Sequence, residues 1–480
     1  MNAVNNLSEK MTNYRWVICS MLFFATTVNY LDRQVLSLTW DEFIKPEFHW
    51  NESHYGTVTS CFMFVYAISN LFAGKFIDWL GTKKGYLWSI GIWSVGACLH
   101  ALCGIATERW VGLESAAELT RATGDVVVVL ATVSMYFFLA ARSILAMGEA
   151  GNFPAAVKVT AEYFPVKDRA YATSIFNSGA SIGALIAPLT IPLLAKAYGW
   201  EMAFIIIGVL GFVWMGIWVF LYDIPAHSRF VNGAELNYIN QDKGMTTSQS
   251  PASDSKERSL SLKECFKHRQ AWAFIMGKLM TDGSWWFFLF WTPSYLNTQF
   301  GIKTSEGLGI ALIFTLYAIT MLSIFGGKLP TLFINRLGLH PYTARLRSML
   351  IFTIFPLFVL LAQPLGRISP WLPTILIGLG CAAHQAFSAN MYTMVSDLFP
   401  KSTVATVIGI GMMSGGVGSI IIQKGAGELF VYADKVQLAF MGFVGKPAGY
   451  FMVFCYCAFA YIIGWCIIKA LVPKFKPVTV

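Results

Sequence analysis

Asp32, Arg33, Arg142 and Glu149 stand inside stretches that are otherwise almost wholly apolar, and Lys278 and Asp282 do the same later in the chain. A charge in an apolar span costs about 2.5–3.5 kcal/mol, so such residues usually face a cavity and mark function. The chemistry open to the first four is anion capture and proton exchange. A guanidinium presents a planar fork that takes a carboxylate with two hydrogen bonds. A carboxyl group in the same place can gain or lose a proton. Desolvation raises its pKa while a nearby Arg lowers it, and the sequence leaves open which wins. Arg142 and Glu149 are two helical turns apart and share one face, whereas the adjacent Asp32 and Arg33 point about 100° apart. The expectation is that all four converge across two helices, as two acids and two guanidinia of zero net charge. A neutralised set that only locks helices is the competing reading.

Other polar residues keep similar company. Lys278 and Asp282 are spaced i,i+4, with Trp285 one turn further along the same face. They read either as a ligand-facing wall or as an ion pair beside an interfacial aromatic belt. His384, Gln385, Ser388 and Asn390 give one helix an unusual polar density, with 384 and 388 on one face and 385 and Tyr392 on a neighbouring one. Hydrogen bonding between helices would explain them equally well, and one His is weak evidence for a proton relay. Asn177 and Ser178 are further cavity candidates.

The elements that must position these residues are set by composition. Of 480 residues 56% are hydrophobic and only 13% charged, against about 25% charged in an ordinary globular domain. A soluble fold cannot hide that much apolar surface, so part of the solvent is lipid. Spans of about 20 apolar residues are expected near 15–38, 55–78, 85–105, 130–157, 170–195 and 202–222. A second set is expected near 271–297, 306–330, 348–366, 371–396, 404–432 and 447–472. No cleavable signal is expected, because a polar Asn2 to Asn13 leads directly into a full-length span. The nine cysteines lie mostly in apolar stretches and are expected to be free thiols. The net charge of +9 does not point to nucleic acid. Basic residues gather in particular loops (Lys83 and Lys84; Lys167 and Arg169; Arg336, Arg345 and Arg347; Lys474 and Lys476), while alternate loops carry acids such as Asp41, Glu42, Glu47 and Glu52. That alternation is the positive-inside pattern, and twelve spans then place both termini in the cytoplasm.

The expected fold is therefore an all-α membrane protein of twelve helices in two six-helix bundles, 1–222 and 270–480, joined by a cytoplasmic linker over 223–269. Within that linker Thr246 to Ser259 reads as solvated. The halves are weakly related. Glu162-Tyr163-Phe164-Pro165 is echoed by Asp397-Leu398-Phe399-Pro400, and at the same offset Ala170 meets Ala405 and Gly183 meets Gly418. Two repeated bundles describe a rocking transporter with its site near the midplane. No Walker loop, H-E-x-x-H or G-x-S-x-G is present, which speaks against ATP-driven transport and against an enzyme. No metal or cofactor is expected.

Gly74-Lys75-Phe76-Ile77-Asp78-Trp79-Leu80-Gly81-Thr82-Lys83-Lys84 resembles the loop 2–3 signature of the major facilitator superfamily. Gly74 and Gly81 are expected to allow a tight turn, and Asp78 to cap a helix end and pair with a basic neighbour. In the family this loop, with Lys83 and Lys84, latches the halves on the cytoplasmic side. The second copy, near Gly326 to Gly338, lacks the Asp. A narrower resemblance spans most of the chain. Asn29-Tyr30-Leu31-Asp32-Arg33, and Arg142 with Gly148-Glu149-Ala150-Gly151-Asn152-Phe153-Pro154, look like the anion:cation symporter family. Gly277 to Asp282 with Trp285-Trp286-Phe287, and Ala383 to Asn390, look like its hexuronate-transporter branch, although Phe387 stands where that branch usually has Trp. The stretch from Thr107 to about Leu130 is longer than the usual loop.

That resemblance implies a proton-coupled symporter of a sugar acid, a hexuronate, in the bacterial inner membrane. Its partners would be a small organic anion, the proton and the lipid bilayer. It assigns proton coupling to Asp32 and Glu149 and the substrate carboxylate to Arg142. With the polar positions above, the expected substrate-binding set is Tyr30, Arg33, Arg142, Asn177, Lys278, Asp282, Trp285, His384, Gln385, Ser388 and Asn390. Charge balance fits this mechanism: an arriving carboxylate makes the closed site negative, and protonating Asp32 or Glu149 restores neutrality and frees an Arg. An aldonate or aldarate carrier of the same family is the alternative, and a membrane sensor of transporter form is a reading from another class.

Overall fold

Inside lipid a backbone must satisfy its own hydrogen bonds, so long apolar runs fold as helices. The computed structural model describes residues 10–113, 115–241 and 260–478; the Thr246 to Ser259 stretch lies outside them. The long helices are α1 (Tyr14–Thr39), α2 (Glu52–Leu80), α3 (Thr82–Ala101), α4 (Asp125–Glu149, continued by Asn152–Tyr163), α5 (Val166–Tyr198) and α6 (Trp200–Leu221). They continue as α7 (Arg269–Phe300), α8 (Gly307–Thr320, running on to Leu337), α9 (Pro341–Phe352, continued in short pieces to Gly366), α10 (Trp371–Leu398), α11 (Lys401–Lys435) and α12 (Lys446–Leu471). Each covers an expected span. Among the described residues nine helical stretches are long and apolar enough to cross a membrane, or ten if α3 is joined to the helix Cys103–Val111, which leaves it at 47°. The first and seventh helices fall short of that measure for a chemical reason: they carry Asp32 and Arg33, and Lys278 and Asp282.

The internal repeat has a structural meaning. Phe164 and Phe399 are both extended, at φ −123° and −119°, and Pro165 and Pro400 each stand just before a helix of more than thirty residues. Proline pushes its predecessor out of the helical region and presets its own φ, so the motif stops one helix and starts the next. The small residues repeat as well. A Cβ on Gly183 would meet Thr27 O at 2.6 Å, and one on Gly418 would meet Leu279 O at 2.1 Å. Close backbone approach thus packs α5 on α1 and α11 on α7. Between the halves, α2 packs on α11 and α5 on α8.

The loop motif is only partly as expected. Gly81 makes the turn between α2 and α3 at φ +77°, but Gly74 lies inside α2 and takes no part in it. Because α2 continues through residue 80, the turn needs one glycine rather than two. Asp78 pairs with Lys158 at 2.7 Å, Lys83 stands 3.6 Å from Asp223, and Thr82 donates to Glu162 at 2.5 Å. Lys84 is exposed. These contacts all fall within the first half. The long 107–130 stretch continues Cys103–Val111 and adds a helix, Ala116–Arg121. Its Leu119 is fully buried and its carbonyl meets His49 Nε2 at 3.0 Å, so the stretch caps the α1–α2 connection.

The described parts of 223–269 divide between the halves. Leu260 N donates to Thr403 Oγ1, tying the later part to the second half. In the earlier part, the short helix Gly233–Ile239 holds Glu235 against the start of α1. Its carboxylate accepts from Thr12 Oγ1, from the backbone N–H groups of Tyr14 and Arg15, and from Arg15 Nη1 at 3.0 Å. It therefore serves both the open N–H groups of α1 and a buried guanidinium. Burial pushes the Glu235 carboxyl up, but these hydrogen bonds outweigh it and hold the group below the ordinary Glu value. A depressed carboxyl stabilises the fold above its unfolded pKa of about 4.3 and loses that contribution as pH falls through the folded value. Glu235→Gln should thus lower thermal stability in detergent by about 3 kcal/mol near neutrality. The gap to wild type should narrow in unfolding scans as pH falls below the ordinary Glu value and through the depressed folded one.

Candidate functional site

Helices α1 and α4 bring three of the four expected charges into bonding contact. Arg33 donates to one oxygen of Glu149 twice, from Nε at 2.9 Å and from Nη2 at 2.6 Å. Arg142 Nη2 donates to the backbone carbonyl of Arg33 at 3.0 Å. All are at most 2% exposed. Asp32 is equally buried, yet nothing among the described residues hydrogen-bonds either of its oxygens, nor Arg142 Nε and Nη1, nor the second oxygen of Glu149. The four therefore form one ion pair and two groups with spare bonding capacity, rather than a closed quartet. Asn29 adds its amide oxygen to Arg33 at 3.4 Å.

Aromatic rings complete this wall. The Arg33 guanidinium lies 5.0 Å from the Tyr30 ring, 4.9 Å from Tyr66 and 5.2 Å from Trp286, which comes from the other half. Phe62 covers Arg142 at 4.7 Å. Ring faces attract cations most where water is excluded. Tyr66, Phe62 and Trp286 were not singled out by charge spacing. For Trp286 the signal was its place in the Trp285-Trp286-Phe287 string; Tyr66 and Phe62 had none beyond being aromatics on one helix.

In the second half Lys278 Nζ lies 2.7 Å from Asp282 and donates to Ser388 Oγ at 3.3 Å, with the Tyr392 ring at 4.9 Å. Trp285 stacks on His384 at 5.3 Å, and His384 Nδ1 meets Tyr461 OH at 3.0 Å. The indole therefore sits on a buried ring inside the bundle and not in an interfacial belt. Gln385 and Tyr392 are half-buried, while Asn390 spends its amide on Ala386 O of its own helix. Asn177 and Ser178 are exposed, and no described contact joins them to Arg33 or Lys278.

Hydrogen bonds between the halves gather at mid-depth and at the end of the bundle away from the chain termini, here called the far end. Gln34 Nε2 donates to Tyr317 OH at 2.7 Å and Tyr55 OH to Phe290 O at 2.8 Å. Glu42 accepts from the Ser305 and Thr304 side chains, and Asp41 from Asn297. Toward the termini, polar side chains such as Ser174, Asn177 and Ser178 on α5 and Thr393 and Ser396 on α10 are exposed.

The family model described as Major Facilitator Superfamily matches residues 22–422. The chain belongs to the major facilitator superfamily. It is a multi-pass membrane transporter, not an enzyme. It is 27% identical over 422 residues to the hexuronate transporter of Escherichia coli K12, covering 88% of this chain and 89% of that one. It is also 27% identical to the probable galactarate/D-glucarate transporter GarP of the same organism, over 90% and 93% of the two chains. Among solved structures a bacterial homologue of the human lysosomal transporter Spinster, in an inward-facing and unoccupied conformation, aligns with TM-score 0.70 at 17% identity, over 97% of this chain and 99% of that one.

In this transporter Lys278 and Asp282 are mutually dependent, since each is nearly buried and neutralises the other. Lys278→Met should strand Asp282 and cut folded yield, and Lys278→Met/Asp282→Asn should restore yield. If the pair only locks α7, uptake returns with yield in the double variant. If it also meets substrate, the double variant folds but transports poorly. Size-exclusion yield and labelled uptake measured on the same preparations separate the two.

Proposed function

We propose that this transporter carries a sugar acid, a hexuronate, together with a proton by alternating access. The observation that carries the reading is Arg142: a fully buried guanidinium with two nitrogens unbonded among the described residues, between an acid without a hydrogen-bond partner and a bonded Arg33–Glu149 pair. That is spare donor capacity which a carboxylate would take, by a fork that shares Nη2 with the Arg33 carbonyl. With two acids and two guanidinia the cluster is neutral, so a carboxylate entering alone would make it negative in a low-dielectric site. Proton uptake by Asp32 or Glu149 removes that charge, and only the doubly loaded site closes cheaply. Lys278, Asp282, Ser388 and the half-buried Gln385 would meet sugar hydroxyls, with Tyr30 and Trp285 against the C–H faces. Asn177 would lie on the approach rather than in the site. The closed far end and the polar exposed faces of α5 and α10 support a carrier open toward its termini. By the positive-inside pattern those termini are cytoplasmic and the membrane is the inner one.

The likeness to a hexuronate transporter supports a uronate. A second reading, an aldarate, is favoured by one observation: a second cation, Lys278, stands in the other half, where a second carboxylate could end. A competition panel of glucuronate, galacturonate and a glucarate, with glucose as control, separates them. Competition by glucose equal to that by glucuronate would sink the carboxylate requirement.

Arg142→Ala should abolish uptake at every pH, and Arg142→Lys should recover only a minor part, because an ammonium cannot reproduce the planar fork. Normal uptake by the Lys variant would rule out bidentate capture. Glu149→Gln mimics the protonated acid permanently. It should still exchange substrate across a liposome membrane but fail to accumulate it under a pH gradient, since no proton can leave to reset the empty carrier. Wild-type accumulation would remove Glu149 from coupling and leave Asp32.

A further inference from the structure

Glu52 opens α2 at the far end and is 3% exposed. A carboxylate so buried needs counter-charge, and it has two. Lys45 of its own half lies at 3.0 Å and Lys446 of the other half at 2.9 Å. Each lysine also has an acid at home. Lys45 bonds Asp41 at 3.1 Å, and Lys446 stands 3.7 Å from Asp434. A neighbouring bridge repeats the pattern. Lys424 donates to Thr57 across the seam at 2.8 Å while bonded to Glu428 of its own helix at 2.6 Å, and Ser53 of the first half donates to that same Glu428.

If the halves part here, Glu52 keeps Lys45, Lys446 keeps Asp434 and Lys424 keeps Glu428. No charge is stranded, so the heavy penalty of an unpaired buried charge does not arise. A permanent staple would have no use for these home partners. We propose that Glu52, Lys446 and Lys424 form an exchangeable ionic lock that holds the far end shut and sets how often it opens. The same closure buries the aromatic layer below, where Trp40 stacks on Tyr55 at 4.2 Å and Trp291 meets Tyr55 edge-on. The lock rests on the alternating-access reading, in which the halves separate.

A reporter for opening is Thr59, 1% exposed, whose hydroxyl reaches Gln423 across the seam at 3.4 Å. In Thr59→Cys protein, purified without substrate and at one pH, thiol labelling by a maleimide is followed at that residue by mass spectrometry. Lys446→Met and Glu52→Gln should speed labelling by about 5- to 30-fold, the effect of one or two kilocalories on a two-state balance. Lys45→Met and Asp434→Asn remove only home partners, which the open state needs more, and should slow it. The opposite signs are the signature of exchange. Should Lys446→Met not fold, Lys424→Met serves with the same expected rise. Unchanged labelling in Glu52→Gln and in the lysine variants would overturn the lock. A rise in Lys45→Met equal to that in Lys446→Met would overturn it too, as a fixed staple behaves that way. Complete protection in every variant, including the parent, would instead overturn alternating access itself. Substrate and proton play no part in this readout, so failure of the symport reading leaves it untouched.

Discussion

Ionised groups cannot be left bare in hydrocarbon, and that constraint organises this protein. Arg33 and Glu149 neutralise each other between α1 and α4, as do Lys278 and Asp282 along α7. The helices that bear them pay in hydropathy, so α1 and α7 must be surrounded by other helices rather than by lipid. Their dense burial follows from that. Asp32 and Arg142 are the exceptions within the rule. They are buried with bonding capacity to spare, which is tolerable only because charges of both signs are close by.

The duplicated architecture answers the same packing problem twice and the chemical problem differently each time. Both halves use an extended Phe followed by Pro to end one helix and begin the next, and both press a glycine against a neighbouring carbonyl. The first half then places guanidinia at mid-depth, where planar bidentate bonding is available. The second places one ammonium among a histidine, a serine and two tyrosines. The halves are thus alike as scaffolds and distinct as surfaces.

How the halves meet explains why they can act as bodies. At the far end, Gly56 comes so near Gly427 and the Gln423 carbonyl that a side chain there would clash. That approach lets short polar side chains such as Ser53 and Thr57 reach across. The charged groups that bond across there also have partners at home: Glu52 has Lys45, Lys446 has Asp434 and Lys424 has Glu428. The loop motif between α2 and α3 is tied only to α4 and to Asp223 of its own half by the bonds described, so in this structure the closure is carried by the opposite end.

The helical membrane fold, the span positions, the internal repeat and the identity of the charged residues were all legible in the sequence. Each follows from local composition: apolar run length, proline and glycine placement, and the rarity of charge in lipid. The choice of Arg33 as the partner of Glu149, with Arg142 turned to a carbonyl and Asp32 unbonded, was not legible, because it depends on the axial offset between α1 and α4 that packing sets. Gly74 misled because a motif records residue type and not where a helix ends. Tyr66, Phe62 and Tyr461 escaped notice, and Trp286 was seen only as part of a resembling string, because aromatics are common in any span, and only the folded arrangement tells a ring over a guanidinium from a ring in lipid. The far-end lock was equally invisible. Lys45, Glu52 and Lys446 look like ordinary loop charges until the packing of α2 on α11 brings the first residue of α12 within reach of Glu52, since pairing across hundreds of residues is decided by tertiary geometry alone.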